Sequence, residues 1–182
     1  MAWNPTENRL GLQPIEQTST VQNHTEGTIV RAIDGTYGGG EFIYLKGCAL
    51  TVVGTLVTFD TVNHSTTFTP NTANLDQPVA VAMSANVASQ WGWYQIEGAA
   101  IIKKTAVKVS PNVPVYQSAT TSRVMSTAAS GKQLMNARSV NAATVLSATS
   151  TITVLIDRPF LQGAVAARKA AQCPERKARQ WA

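Results

Sequence analysis

Pro78-Val79-Ala80-Val81-Ala82-Met83-Ser84 and, a few residues on, Gln90-Trp91-Gly92-Trp93-Tyr94-Gln95-Ile96-Glu97-Gly98 decide the fold of this chain. A strand sends successive side chains to opposite faces. Val79, Val81 and Met83 therefore share one side of the first run, and Ala80, Ala82 and Ser84 the other. In the second run Trp91, Trp93 and Gln95 face one way, and Gly92, Tyr94 and Ile96 the other. Small residues opposite large ones suit a tight sheet or barrel interior. The pair holds two of the four Trp. Gly98-Ala99-Ala100-Ile101-Ile102 continues the strand, with a bulge expected at Gly98.

Further strands are expected on both sides of this pair. Upstream, Thr28–Ile33, Glu41–Lys46, Thr55–Asp60 and Thr66–Thr69 carry β-branched and aromatic residues between turn signals. Asp34–Gly40 reads as a glycine-rich turn. A phosphate loop needs a following helix and a lysine at set spacing, and here a strand follows. Thr51–Gly54 is a connector and Asn63-His64-Ser65 a hairpin turn. Downstream, Ala106–Val109, Val113–Gln117, Ser122–Met125, Gly131–Arg138 and Thr151–Ile156 read as strands, with Pro114 confining its strand to an edge or a start. No amphipathic helix of ordinary length precedes residue 163. The reading is an all-β, compact sandwich or barrel-like domain of short strands over residues 28–162. Residues 1–27 are expected as an extended N-terminal arm, and residues 163–182 as a basic, Ala-rich tail. A weak echo links Gly54–Phe59 to Pro111–Tyr116 and Val79–Asn86 to Leu134–Asn141. Duplication and coincidence in a Val/Ala/Ser/Thr-rich chain both account for it.

The chain has 182 residues, 44% hydrophobic and 14% charged, with a net charge of +5. That is one domain by length, with little charge for a soluble protein. Arg168, Lys169, Arg176, Lys177 and Arg179 stand against Glu175 alone in the last 20 residues, so the tail supplies most of the excess. A near-neutral body speaks against a nucleic-acid groove there. These five residues are the candidate partner-binding tail, helix-favouring up to Pro174. Cys48 and Cys173 are far apart and form no disulfide or metal pattern. The first five residues lack a basic start and an apolar run, so no signal peptide is read. No stretch of about 18 apolar residues exists to span a membrane.

Catalytic patterns are missing as well. His24 and His64 sit in polar loops without a second ligand at metal spacing. Asp34, Asp60, Asp76 and Asp157 read as turn residues. No nucleophile elbow or Cys/His pairing is present. The expectation is a non-enzyme with no catalytic, metal or cofactor-binding residue and no small-molecule substrate. Trp91, Trp93 and Tyr94 lack the interleaved cations of a base-stacking platform. With Tyr44 and Phe42 they are candidates for the core or a subunit interface.

The runs Gly39-Gly40-Glu41-Phe42-Ile43-Tyr44-Leu45-Lys46-Gly47, Val79-Ala80-Val81-Ala82 and Trp93-Tyr94-Gln95-Ile96-Glu97-Gly98, with a final strand reaching Arg158-Pro159-Phe160, resemble the head decoration (capsid cement) proteins of tailed bacteriophages. The likeness covers residues 27–163 and not the tail, and it lies in packing motifs. It implies a small β-domain, a homotrimer, that bridges major capsid protein subunits on the outside of the virion, without cofactor or catalytic residues. It would be made in the bacterial cytoplasm. Another virion part (head-fibre base, minor capsid or tail protein) and a nucleic-acid-binding protein using the basic tail are the alternatives.

Overall fold

The computed structural model of the chain describes residues 3–6 and 11–164, and these are all-β, without a helix. Twelve strands follow in order: β1 (Asn4–Pro5), β2 (Thr18–Ser19), β3 (Ile29–Asp34), β4 (Gly38–Lys46), β5 (Leu56–Phe59), β6 (Thr66–Phe68), β7 (Val79–Ala82), β8 (Trp91–Lys103), β9 (Pro114–Gln117), β10 (Val124–Met125), β11 (Gln133–Ser139) and β12 (Thr151–Leu161). All ladders are antiparallel. The main path runs β1-β3-β4-β8-β12-β11-β9-β10, and β7, β5 and β6 branch from β8.

The 13-residue β8 is the spine. Its first half pairs with β4 and β7, and its second half with β12. Two rings of strands result. In the first, β4, β8, β7, β5 and β6 follow one another, and a parallel bridge from Lys46 to Ser65 returns β6 to β4. In the second, β8, β12, β11, β9 and β10 do the same, closed by a bridge from Lys104 to Val124. Ile43, Leu45, Val57, Ala80, Ala82, Tyr94 and Ile96 pack together in the first ring. Ala100, Ile102, Val115, Val124, Leu134 and Val154 pack in the second, where the cluster extends to Leu56, Val79 and Val81. One continuous sheet thus curls into two barrel-like lobes sharing a strand, which satisfies strand edges without a helical cover.

The bulge expected near Gly98 is present. Register slips between Glu41 and Phe42, which oppose Glu97 and Gln95, so Ile96 has no opposite number on β4. Gly98 has φ +99°, and a Cβ there would overlap the carbonyl oxygen of Gly39. Only glycine fits this backbone and this approach. The bulge brings Tyr94 and Ile96 into the first lobe and Ala100 and Ile102 into the second.

Some expectations change. Gly38, Gly39 and Gly40 belong to β4, paired with Asp34, Ile33 and Ala32, so the turn is confined to residues 35–37. The ladder requires glycine at position 40, because Glu97 O lies 2.9 Å from where a Cβ would be. Ala106–Val109 is not a strand. Val107 N–H turns back to Thr105 O at 2.7 Å, and only Val109 bridges, to Val145. Met83 leaves the side of Val79 and Val81 once β7 ends, and packs with Trp93. The N-terminal segment, expected as an extended arm, folds back onto its own sheet. β1 pairs with β3, β2 pairs with β8, and Ile15 (0% exposed) and Trp3 (5%) are buried. Its apolar residues at 3, 12 and 15 are too sparse to show a period, yet they cover β3, β4 and β8.

The structure has a repeat of architecture, and the weak echo in the sequence lies one residue off it at Gly54–Phe59 and two residues off it at Val79–Asn86. Gly54 N–H and Thr55 O bond Ala82, and Asn112 N–H and Val113 O bond Ser139, each displaced by 57 or 58 positions (54 to 112, 55 to 113, 82 to 139). Asp60 N–H bonds Ser65 O, and Ser118 N–H bonds Arg123 O. The strand connections β5-β6-β7-β8 and β9-β10-β11-β12 match pairing for pairing. Register slips in β11 between Gln133 and Arg138, around Asn136 at φ +55°, which puts the two copies out of step.

Candidate functional site

Phe42 and Tyr44 on β4 and Trp93 on β8 point away from the first lobe and are fully buried. They are covered by the N-terminal segment. Trp3 meets Phe42 edge-on with ring centres 4.8 Å apart, and Tyr44 meets Trp93 at 5.0 Å. The ring of His24 lies 5.1 Å from Tyr44 and 5.4 Å from Trp93.

Gln13 is the polar hub of this layer. Its N–H donates to His24 Nε2 (3.2 Å), and its carbonyl accepts from Trp93 Nε1 (2.9 Å). Its Oε1 accepts from Tyr44 OH (3.1 Å) and Asn23 Nδ2 (3.0 Å), while its Nε2 donates to Gln17 O (2.7 Å). Buried polar groups cost free energy unless paired, and every one of these is. Burial pushes the Tyr44 phenol above its ordinary range, against the Asn23 N–H that it accepts. Trp91 is half-buried at the rim. Its Nε1 donates to Glu26 (2.7 Å), and Lys46 Nζ sits 5.5 Å over its ring.

Of the five aromatic candidates, the structure brings Phe42, Tyr44, Trp91 and Trp93 together and sends Tyr94 to the opposite face. Within the chain this is packed core. Tyr94 OH accepts from Asn86 Nδ2 at 3.0 Å, and burial pushes its pKa to about 12. The tail candidates Arg168, Lys169, Arg176, Lys177 and Arg179 lie outside the described residues, as does Cys173.

A charged row was not legible beforehand. Register places Arg31, Glu41, Glu97 and Asp157 side by side across β3, β4, β8 and β12. Asp157, expected at a turn, is thus in a strand. The buried Glu41 carboxylate accepts from Arg31 Nη2 (2.7 Å) and Arg158 Nη2 (2.8 Å). Burial raises its pKa, but the two guanidiniums outweigh this and hold it below the usual carboxylate value. Glu97 is pushed up by burial and by the neighbouring Glu41 and Asp157. The four residues come from distant parts of the sequence, so only cross-strand register reveals them.

Among the described residues no group of three or more His, Cys, Asp or Glu is placed to hold a metal ion. The apolar groove lined by Ile29, Ile43, Phe59, Pro78, Ile96 and Pro159 is open, about 280 Å³ in volume, and bordered by His64 and Arg158. No helix among the described residues is long and apolar enough to cross a membrane. Comparison with family models, curated proteins and solved structures gives no match to this chain.

Proposed function

We propose that this protein is a structural subunit of a tailed-bacteriophage head, a decoration (cement) protein that binds the outside of the major capsid shell as a homotrimer and bridges neighbouring capsomers. One observation carries the reading. The runs that resemble the cement family, Gly39–Gly47, Val79–Ala82, Trp93–Gly98 and the strand reaching Arg158-Pro159-Phe160, fall on β4, β7, β8 and β12, four of the nine strands that form the two lobes. The surface is compatible with this role. Val62 (86% exposed), Leu50 (81%), Val21 (66%) and Leu146 (60%) stand out on separate loops. Scattered weak contacts of this kind gain strength by multivalency on a repeating shell. Charge is sparse, and the shifts at Glu41 and Glu97 follow from burial and from the charged side chains beside them.

The test is co-sedimentation of the purified chain with mature and with unexpanded heads of its phage, together with light scattering of the free protein. The expected result is a trimer that binds expanded heads and protects them against disruption. A monomer that binds neither form refutes the reading. Density for the chain on a tail or fibre in images of the particle replaces it with another virion role. Steeply salt-dependent DNA binding lost on deleting residues 164–182 replaces it with nucleic-acid binding.

A further inference from the structure

We infer that the first lobe carries a binding site for one neutral sugar ring. The site is the pocket between the β5–β6 hairpin and the residues leading into β7. Asp60 and Gln77 hydrogen-bond the ring hydroxyls there, and Phe59 and Pro78 take its C–H face. The pocket measures about 310 Å³. Ligand sites run from about 300 to about 1,000 Å³, so this one has room for a single pyranose and not for a long ligand.

The walls are fixed before anything binds. Asp60 Oδ1 accepts from the Val62 and Asn63 N–H groups at 2.7 and 2.8 Å. Asn63 Oδ1 accepts from Ser65 N–H (3.0 Å) and Ser65 Oγ (2.7 Å), and Asp60 N–H donates to Ser65 O at 3.0 Å. The opposite wall is tied on both sides: Phe59 N–H donates to Pro78 O at 3.2 Å, and Leu161 N–H to Gln77 O at 2.8 Å. On the hairpin the Thr58 and Thr67 hydroxyls pair at 2.9 Å. A site ordered in this way loses little conformational freedom when a ligand enters.

The groups left over suit a sugar. Asp60 is exposed, and its Oδ2 has no partner among the described residues. The Asn63 and Val62 N–H groups hold its carboxyl below the ordinary range, so it stays an acceptor at neutral pH. The exposed Gln77 amide has no partner among the described residues either, and it offers two donors and an acceptor. Phe59 is half-buried, anchored on the apolar cluster of the first lobe, and it lines the pocket beside Pro78. A pyranose presents both matching surfaces: a rim of hydroxyls that donate and accept, and a face of C–H groups drawn to the negative face of an aromatic ring. Asp60 is the one acid in the lining, and no lysine or arginine lines it, which disfavours phosphate and carboxylate ligands. An ammonium group would answer Asp60 but only donates, and so would leave the Gln77 N–H groups without an acceptor. Glycoside hydrolysis uses a pair of carboxyl groups and the lining holds one, so the inference is binding and not turnover. It stands independently of the capsid reading.

The experiment is NMR on the full chain labelled with nitrogen-15, titrated with the methyl glycosides of glucose, galactose, mannose and N-acetylglucosamine. At least one should shift the amide signals of residues 58–67 and 77–79 saturably, with Kd on the order of 1 mM, as suits one ring in an open pocket. Asp60→Asn keeps an oxygen for the two backbone donors and replaces the other oxygen by a donor, and should weaken binding at least about tenfold. Gln77→Ala removes an exposed side chain and should weaken binding about fivefold. Val62→Ala, on the same turn but outside the pocket lining, should leave Kd unchanged. No saturable shift with any of the four glycosides overturns the inference. So do shifts confined to another surface, affinities unchanged in both Asp60→Asn and Gln77→Ala, or tighter binding of n-butylamine or inorganic phosphate at the same signals.

Discussion

Replacing Trp93 by alanine should cost about 4 kcal/mol of stability. The side chain is fully buried, and truncating an aromatic in a core costs about 3–5 kcal/mol through lost transfer energy and the cavity left behind. The indole also donates to Gln13 O at 2.9 Å, so truncation leaves a buried carbonyl without its donor. Trp93→Phe separates the two effects. It keeps most of the ring contact with Tyr44, 5.0 Å away, and loses the donor, which should cost about 1–2 kcal/mol. For a domain of this size each kcal/mol moves Tm by about 2–4 °C, so alanine should lower Tm by about 8–16 °C and phenylalanine by about 2–8 °C. Thermal and urea denaturation followed by circular dichroism measure both. Light scattering on the folded variants checks association. An alanine variant within about 1 kcal/mol of wild type would refute the packing argument. A changed oligomer mass at unchanged Tm would move Trp93 from core to interface.

Gly98→Ala should destabilise by at least about 2 kcal/mol in the same assay, because both φ +99° and the Gly39 carbonyl oppose a side chain, whereas Gly35→Ala meets nothing and should be close to neutral. Glu41→Gln should cost about 1 kcal/mol at neutral pH, discounted because Arg31 and Arg158 are mostly exposed. The carboxyl titrates below its ordinary 4.5 when folded, so its contribution is complete above that value and lost as pH falls through the lower folded one. Glu97→Gln should act oppositely, raising stability by up to about 1 kcal/mol at neutral pH, with the gain vanishing below 4.5, because its folded carboxyl titrates above that value. Urea midpoints at several pH values check both, and a pH-independent effect at either residue would show that packing rather than charge is at work.

Period-two patterning made the all-β class and most strands legible, because Val/Ala and Trp/Tyr alternation survives wherever both faces of a strand are buried. The alternation puts Tyr94 and Trp93 on opposite faces, and they lie in different clusters. Gly38–Gly40 reads as a turn in the sequence because glycine signals a turn and a close strand approach equally well, and only the neighbour decides. The N-terminal covering layer was invisible because Trp3, Leu12 and Ile15 contribute without a period, and Gln13 as hub has no local signature. The Arg31–Glu41–Glu97–Asp157 row depends on three strand registers at once.

The repeat was faint in sequence for a physical reason that its two seam lysines show. Lys46 ends β4 and Lys104 follows β8, and each bridges the return strand of its lobe. On β4 the inward residues are Ile43 and Leu45, so the next position falls outward, and Lys46 is exposed. Beyond the bulge the inward residues of β8 are Ala100 and Ile102, so Lys104 falls inward and is 1% exposed. Its ammonium donates to the carbonyls of Val107 (2.8 Å), Thr105 (3.2 Å) and Ser147 (3.4 Å), tying the loop after β8 to the loop before β12. A one-residue change of parity thus gives equivalent positions opposite environments, even here where both carry lysine. Lys104→Met keeps the length of the side chain but removes the donor from three carbonyls, and should cost about 2 kcal/mol. Lys46→Met loses only a contact over Trp91, worth about 0.5–1 kcal/mol at an exposed site. Burial lowers the Lys104 pKa, so the unfolded chain holds the proton longer. The wild type should therefore gain on Lys104→Met as pH rises toward 10.5. Equal costs for the two methionine variants would mean that the carbonyl tie adds nothing and that the two lysines are equivalent after all.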